Sequence, residues 1–276
     1  MILVDWTRMG KTFCVAGVVA EVPGWRTVRP LPVPLRTPSR PRAGLRGVIE
    51  ALISGPKNTA APSDPPLPRN VGWFSNRLAR VHRWDIVELM YPHSAEIEPP
   101  HTEDLWVCGL RPTGRSATLE ERAAILRATS VRDTQLHFGV PLLTTRTSAY
   151  LRPGMGERSL VTVMVPSKDV CFVTSEREGA GGAEVRVNLR VPQVGTKLLP
   201  VKDHPLLCHA EQAAPGDLGE QAKVLRQAIL QMGPTVAVRL GLSRGYDSGR
   251  GEPRCWLMAD GFFPTEVPSP SGKGLG

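Results

Sequence analysis

The chain has 276 residues, a net charge of +8 and a sequence pI near 9.6, and hydrophobic residues make up 41% of it. This length is enough for two modest domains, each with its own core. We expect a cytoplasmic protein, because no apolar run approaches the roughly 18 residues of a membrane span and the first residues do not follow an export-signal pattern. The five scattered cysteines form no C-x-x-C pair, which argues against a disulfide framework or a zinc ribbon.

Three strands are predicted first, at residues 2–6, 12–22 and 25–31, with a Pro-Gly turn before the third. The turn between the first two reads Met-Gly-Lys-Thr, which looks like the end of a phosphate-binding loop. Asp5 stands where that loop needs its first glycine, and the following residues are strand-like, so we interpret this stretch as a connection between strands.

A proline- and arginine-rich insertion follows, at residues 32–83. The stretch from Arg26 to Arg83 holds eleven basic and two acidic residues and carries the whole positive excess of the chain. Such a concentration is typical of a surface that binds a polyanion. The alternative is a solvated arginine-rich insertion. Within it, residues 45–53 have the spacing of an amphipathic helix, and a second short helix precedes Trp84.

Strands return at 84–91 and 104–110, followed by a helix at 116–130 that Thr118 opens in capping-box register with Glu121. Residues 131–158 show no clear period and are predicted to be irregular.

Further strands are predicted at 159–165, 169–175 and 183–191. A helix follows, with one apolar face that comprises Leu218, Ala222, Leu225, Ile229 and Met232. Two more strands, at 235–243 and 254–263, precede a C-terminal tail.

The order of three strands, a helix and two strands therefore occurs twice. It is the element order of the OB fold, a five-stranded Greek-key barrel, and small SH3-like barrels are the alternative. We predict a mainly β (α+β) protein with two OB-fold-like five-stranded barrels joined by a helical linker. The barrels span 1–115 and 159–264, the linker spans 116–158, and residues 265–276 form a disordered tail.

Several short motifs occur in the order seen in the dual OB-containing domain family of bacterial conflict and phage-defence systems, and the chain resembles that family over nearly its whole length. The positions that carry the resemblance are Cys14-Val15-Ala16-Gly17, Gly24-Trp25, Arg29-Pro30, Asp85-Ile86-Val87-Glu88, His101 and Trp106-Val107. The chain departs from the pattern in the extra residues between Trp25 and Arg29 and in the long insertion after Pro34. The resemblance implies a non-enzymatic module that binds nucleic acid or forms a complex.

We expect nucleic acid to be bound by aromatic stacking and by arginine contacts to phosphate. The candidate residues are Trp25, Arg26, Arg29, Arg36, Arg40, Arg42, Arg77, Arg80 and Arg83. Trp25 is equally interpretable as a core residue, and the alternation of a strand places Arg26 and Arg29 on opposite faces.

No enzyme and no cofactor are predicted. His204, Cys208 and His209 lie close in sequence without a fourth zinc ligand, and we interpret their segment as a surface loop. His93 and His101 stand near acidic residues but without a nucleophile or a metal motif.

Two hypotheses about function follow. The first is a protein that binds single-stranded DNA or RNA independently of base sequence in a bacterial defence system, together with a protein partner from that system. The second is a scaffold or adaptor subunit that docks an effector through barrel surfaces and through the apolar faces of the helices at 45–53 and 218–232, with its charge serving steering or solubility.

Overall fold

The computed structural model describes residues 1–9, 12–21, 24–32, 81–90, 99–107, 109–131, 136–176, 183–245 and 251–265. Strands make up 51% and helices 20% of this part, so the prediction of a mainly β protein is confirmed. Most of the predicted insertion and nearly all of the tail lie outside the described residues, and so does the helix expected at 45–53. Among the described helices, none is long and apolar enough to cross a membrane.

The N-terminal part forms a six-stranded sheet with the order β5-β3-β2-β1-β4-β6. Its strands are β1 (Ile2–Met9), β2 (Thr12–Glu21), β3 (Gly24–Pro32), β4 (Asp85–Met90), β5 (Asp104–Val107) and β6 (Gly109–Ser116). All pairs are antiparallel except β3 with β5. The two outer strands, β5 and β6, are consecutive in the chain and separated only by residue 108, so the sheet curls toward a half-barrel.

Gly17 shows why a glycine is needed inside this sheet. It lies in β2 opposite Leu3 and Val28, where the backbone of β1 approaches closely. A Cβ atom at this position would overlap the carbonyl oxygen of Ile2. The final glycine of the Cys-Val-Ala-Gly motif therefore permits the close approach of two strands.

Helix α1 (Leu119–Ala128) begins with the predicted capping box. The Thr118 hydroxyl accepts from the Glu121 amide at 3.2 Å, and the Glu121 carboxylate accepts from the Thr118 amide at 2.7 Å. The helix begins at Leu119, directly after the predicted opening residue Thr118; only the first residues of the predicted segment differ, because Ser116 still pairs in β6 with β4.

The C-terminal part contains a three-stranded sheet, β10-β11-β12, and a five-stranded sheet, β7-β8-β14-β13-β9. Their strands are β7 (Leu143–Thr144), β8 (Ala149–Leu151), β9 (Leu160–Pro166), β10 (Cys171–Glu176), β11 (Ala183–Val191), β12 (Gly195–Pro200), β13 (Thr235–Leu242) and β14 (Cys255–Pro264). A 3-10 turn, Ser167–Asp169, connects β9 to β10. The hairpin β7–β8 lies within 131–158, where the sequence indicated only irregular chain, and it extends the second sheet through β14.

Two helices, α2 (His204–Ala213) and α3 (Leu218–Gln231), lie between β12 and β13. The apolar face predicted for α3 is confirmed as a core face: Ala222, Leu225 and Ile229 are buried in the main hydrophobic cluster together with side chains of β10 and β11. This face is therefore used within the molecule and is not free to dock another protein. The segment interpreted as a surface loop is helix α2, which Asp203 caps at its N-terminus.

The two parts share a core. Ile2 and Val18 of the first sheet, Ile125 of α1, and Ala237 and Phe263 of β13 and β14 belong to one buried cluster. The sheets therefore pack against each other through apolar side chains, and the polar groups between them lose contact with water.

Candidate nucleic-acid interface

Four of the nine predicted nucleic-acid residues are described by the structure. They are Trp25, Arg26, Arg29 and Arg83, whereas Arg36, Arg40, Arg42, Arg77 and Arg80 lie outside the described residues. The four do not come together on one exposed surface.

Trp25 and Arg26 follow each other on β3 and face opposite ways. Arg26 is exposed and forms an ion pair with Glu21 across the β2–β3 hairpin. Trp25 is half-buried and packs against the cluster shared by the two sheets, which fits the alternative of a core residue. Arg26 is the more exposed of the two, and its charge is already partly matched by Glu21.

Arg29 is enclosed between the two parts of the chain. Its side chain lies 2.9 Å from His101 Nδ1, donates to Ser159 Oγ at 3.0 Å, and pairs with Asp104 at 3.4 Å. Only 6% of the residue is exposed. The structure therefore does not support a phosphate contact from Arg29, because groups from both parts of the chain surround its donors.

Arg83 is also a contact between the two parts. It donates to Asp203, the cap of α2, at 2.8 Å, and its guanidinium lies over the Phe263 ring at 4.6 Å. Its side chain is 15% exposed, so it is better placed to hold the sheets together than to meet a nucleic-acid strand.

Glu103 and Ser159 continue the polar contacts around Arg29. The Glu103 carboxylate accepts from the amide and the hydroxyl of Ser159, at 2.7 and 2.9 Å, and from the amide of Leu160 at 3.1 Å. The Glu103 backbone carbonyl accepts from the Arg29 amide at 2.7 Å. These bonds tie the start of β9 to the chain that enters β5.

His101 is neutral in this setting. Burial, followed by the charges of Arg29 and Arg244, lowers the pKa of His101 to about 3. Proton exchange near neutral pH is therefore not available to this ring. The carboxyl of Asp104 pairs with Arg29 and with Arg244, so this acidic neighbour of His101 serves ion pairs.

A second set of buried charges surrounds Arg239 on β13, which is fully buried. Arg239 donates to Asp5 at 3.1 Å, to Thr162 at 3.0 Å and to Thr27 at 3.2 Å. Asp260 lies nearby on β14, and burial together with the charge of Asp5 raises its pKa to about 7. We call these two sets of residues the buried polar interface. It comprises Arg29 with His101, Glu103, Asp104 and Ser159, and Arg239 with Asp5, Thr27, Thr162 and Asp260. Sequence patterns did not indicate this interface, since it depends on which strands meet.

Ser159 is the serine of the buried polar interface. The Ser159 hydroxyl is fully buried and donates to Glu103, so it is not placed to attack a ligand.

Two of the residues considered as zinc ligands are brought close together on α2, where His204 Nδ1 lies 3.4 Å from Cys208 Sγ. Within the described ranges, however, no group of three or more His, Cys, Asp or Glu side chains could hold a metal ion.

A cluster of aromatic and basic side chains lies at the surface of β8 and β14. Tyr150 and Trp256 are paired across the two strands, with ring centroids 5.1 Å apart. The Arg254 guanidinium lies over both rings, 4.6 Å from the centroid of Tyr150 and 5.5 Å from that of Trp256. We call these three residues the aromatic-arginine cluster. No sequence signal indicated it, because Tyr150 falls where no strand was predicted.

No protein family, curated protein or solved structure matches the chain. The resemblance to the dual OB-containing domain family therefore stays a prediction that rests on short motifs. Topology, charge and exposed side chains are the remaining grounds for a function.

Proposed function

We propose that the protein binds single-stranded DNA or RNA without catalysis and without reading base sequence, on two barrels of the OB type. The observation that carries this proposal is the strand pairing, which follows the same scheme twice. OB folds present an outer strand face and the connecting loops to oligonucleotides.

In the N-terminal part, β1 pairs with both β2 and β4, β2 pairs with β3, and β3 runs parallel to β5. If β5 and β6 are counted as one interrupted strand, five strands remain, and the fifth pairs with both the third and the fourth. This scheme would close the curled sheet into a barrel.

In the C-terminal part it is the first strand that is interrupted: β9 and β10 count together as the first strand, and the 3-10 turn at Ser167–Asp169 separates them. The second to fifth strands are β11, β12, β13 and β14. The first strand pairs with the second (β10 with β11) and with the fourth (β9 with β13), the second pairs with the third (β11 with β12), and the fourth pairs with the fifth (β13 with β14). Val201, next to the end of β12, forms a parallel bridge with Ala259 of β14. Helices α2 and α3 lie between the third and fourth strands, which is the place of the OB helix.

Charge supports the same proposal. Residues 33–84 connect β3 to β4, the third and fourth strands of the N-terminal part, and hold nine basic and two acidic residues. A segment with this excess of positive charge would neutralise phosphates and release their counterions, which gives strong and salt-dependent binding. The resemblance adds the proposal that this binding serves a bacterial defence system in the cytoplasm, with a protein partner from that system.

The scaffold hypothesis has less support. It relied on barrel surfaces and on two apolar helix faces, and the face of α3 is buried against the protein's own strands. The second face, at 45–53, lies outside the described residues.

Fluorescence anisotropy with a labelled oligothymidylate tests the proposal. We expect binding at 50 mM salt that weakens steeply at higher salt, with similar affinity for a second single strand of mixed sequence. Replacing Arg36, Arg40 and Arg42 by Gln should reduce the slope of log Kd against log salt by about 0.7 for each phosphate that the protein no longer neutralises. Arg111→Gln is the matched control, because Arg111 is exposed but lies outside the basic stretch and pairs with Glu88. No binding at low salt, or a Kd that is insensitive to salt, would contradict the proposal.

A further inference from the structure

We propose that the aromatic-arginine cluster is a binding site for an unpaired nucleobase and its adjoining phosphate. This inference rests on the proposed function and assigns to it a site in the C-terminal part, formed by residues that do not belong to the arginine-rich stretch. The cluster consists of Tyr150, Arg254 and Trp256.

The strand register makes both rings point outward. Tyr150 lies opposite Trp256, whereas their neighbours Leu151 and Cys255 lie opposite each other and are buried in the core. Successive side chains of a strand face opposite sides of the sheet, so the two rings face away from the core. Both rings keep intermediate exposure.

The row of outward side chains continues onto β7. Leu143 lies opposite Tyr150 and is 37% exposed. On the other side of Trp256, the half-buried Ser243 donates its amide to the Trp256 carbonyl at 2.9 Å. The surface around the rings is therefore partly apolar and open, as a base that leaves water by stacking requires.

Arg254 distinguishes this cluster from an ordinary packed pair of rings. Ten of the seventeen described arginines form an ion pair with a carboxylate. Among the described residues, Arg254 has no such partner, although its guanidinium is positioned by the faces of Tyr150 and Trp256. When the flat face of a guanidinium stacks on aromatic rings, the N–H groups around its edge can still donate hydrogen bonds. Two of these N–H groups match the spacing of two phosphate oxygens.

Arg190, on the neighbouring sheet, is another of the seven described arginines without a carboxylate partner. It is exposed on β11, between the buried Leu189 and Val191. The turn of the β7–β8 hairpin reaches that sheet, because the Leu198 amide of β12 donates to the Thr147 carbonyl at 2.8 Å. This contact places the β7–β8 turn next to β12, which pairs with the strand that carries Arg190.

The test measures the Kd of the full-length protein for oligothymidylate at fixed low salt. Loss of one stacked base should raise the Kd of Trp256→Ala by about 5- to 150-fold, and Tyr150→Ala should have an effect in the same direction. Trp256→Phe keeps an aromatic face and should bind within a few-fold of the wild type. Arg254→Gln should lower the slope of log Kd against log salt by about 0.7.

Leu230→Ala is the control for loss of an exposed apolar side chain, since Leu230 is 42% exposed on α3. Quenching of tryptophan fluorescence by the oligonucleotide provides a readout that needs no disruptive substitution: it should be smaller in Trp256→Phe than in the wild type. The site is refuted if the wild type binds while Trp256→Ala and Arg254→Gln bind equally well, or if quenching is unchanged in Trp256→Phe. A wild type that binds no oligonucleotide overturns the proposed function as well.

Discussion

Asp260 offers a direct test of the buried polar interface through the pH dependence of stability. It is 4% exposed on β14, and its Oδ1 atom has no hydrogen-bond partner among the described residues. Burial and the nearby Asp5 raise the pKa of its carboxyl from 3.8 to about 7, against the opposing charges of Arg29 and Arg239. The substitution Asp260→Asn keeps the shape of the side chain and removes its titration.

The sign of the effect follows from the direction of the shift. Because the pKa is higher in the folded than in the unfolded state, the folded protein binds the proton more tightly. The resulting stability is fully present below about pH 4 and is lost as the pH rises through 7. Each pKa unit corresponds to 1.36 kcal/mol, so a shift of about 3 units amounts to about 4 kcal/mol, of which about 2 kcal/mol is lost between pH 5.5 and 7.

The assay is urea unfolding followed by circular dichroism at pH 5.5 and pH 8.5. The free energy of unfolding of Asp260→Asn, relative to the wild type, should rise by about 2 kcal/mol between these two values. Glu252→Gln, at a side chain that is 67% exposed, should show no such change. A difference between Asp260→Asn and the wild type that is the same at both pH values would refute the reasoning, because Asp260 would then titrate as it does in the unfolded chain.

Three further substitutions test packing and capping by thermal or urea unfolding. Arg239→Met should lower the free energy of unfolding by about 3–5 kcal/mol, because it removes the ion-pair partner of the buried Asp5. Arg8→Met, at an exposed ion pair, should cost less than about 1 kcal/mol, and equal losses in the two variants would contradict this distinction. Thr118→Ala should cost about 1 kcal/mol through loss of the α1 cap, and an unchanged midpoint would show that the cap contributes nothing. Gly241→Ala should destabilise the protein by about 1–3 kcal/mol, since its Cβ would overlap the Asp260 carboxylate, and a neutral effect would mean that this carboxylate moves freely.

Local signals predicted those parts of the fold that local interactions determine. The capping box marked the start of α1, since Thr118 is its N-cap. The apolar spacing from Leu218 onward marked the face of α3 that is buried in the structure. Short elements were missed where the pattern was too brief to show a period. The hairpin β7–β8 has strands of two and three residues, and it is held by pairing with the distant β14.

The candidate sites were harder to predict because exposure is a property of the assembled chain. Arg29 follows a strand pattern like that of Arg26, yet the residues that bury it, His101 and Ser159, are distant in sequence. The aromatic-arginine cluster likewise depends on the register that places Tyr150 beside Trp256. Residue type indicated which side chains could contact phosphate, but only the pairing of strands shows which of them solvent reaches.

The ion pairs between the two parts of the chain limit how the protein can be dissected. Cutting near residue 116 would leave Asp5 on one fragment and Arg239 on the other, and it would separate Arg29 from Ser159 in the same way. Each fragment would expose apolar side chains together with charged groups that have lost their partners. We therefore expect that neither fragment folds on its own. Mapping by single substitutions in the intact polypeptide is therefore more informative than mapping by truncation.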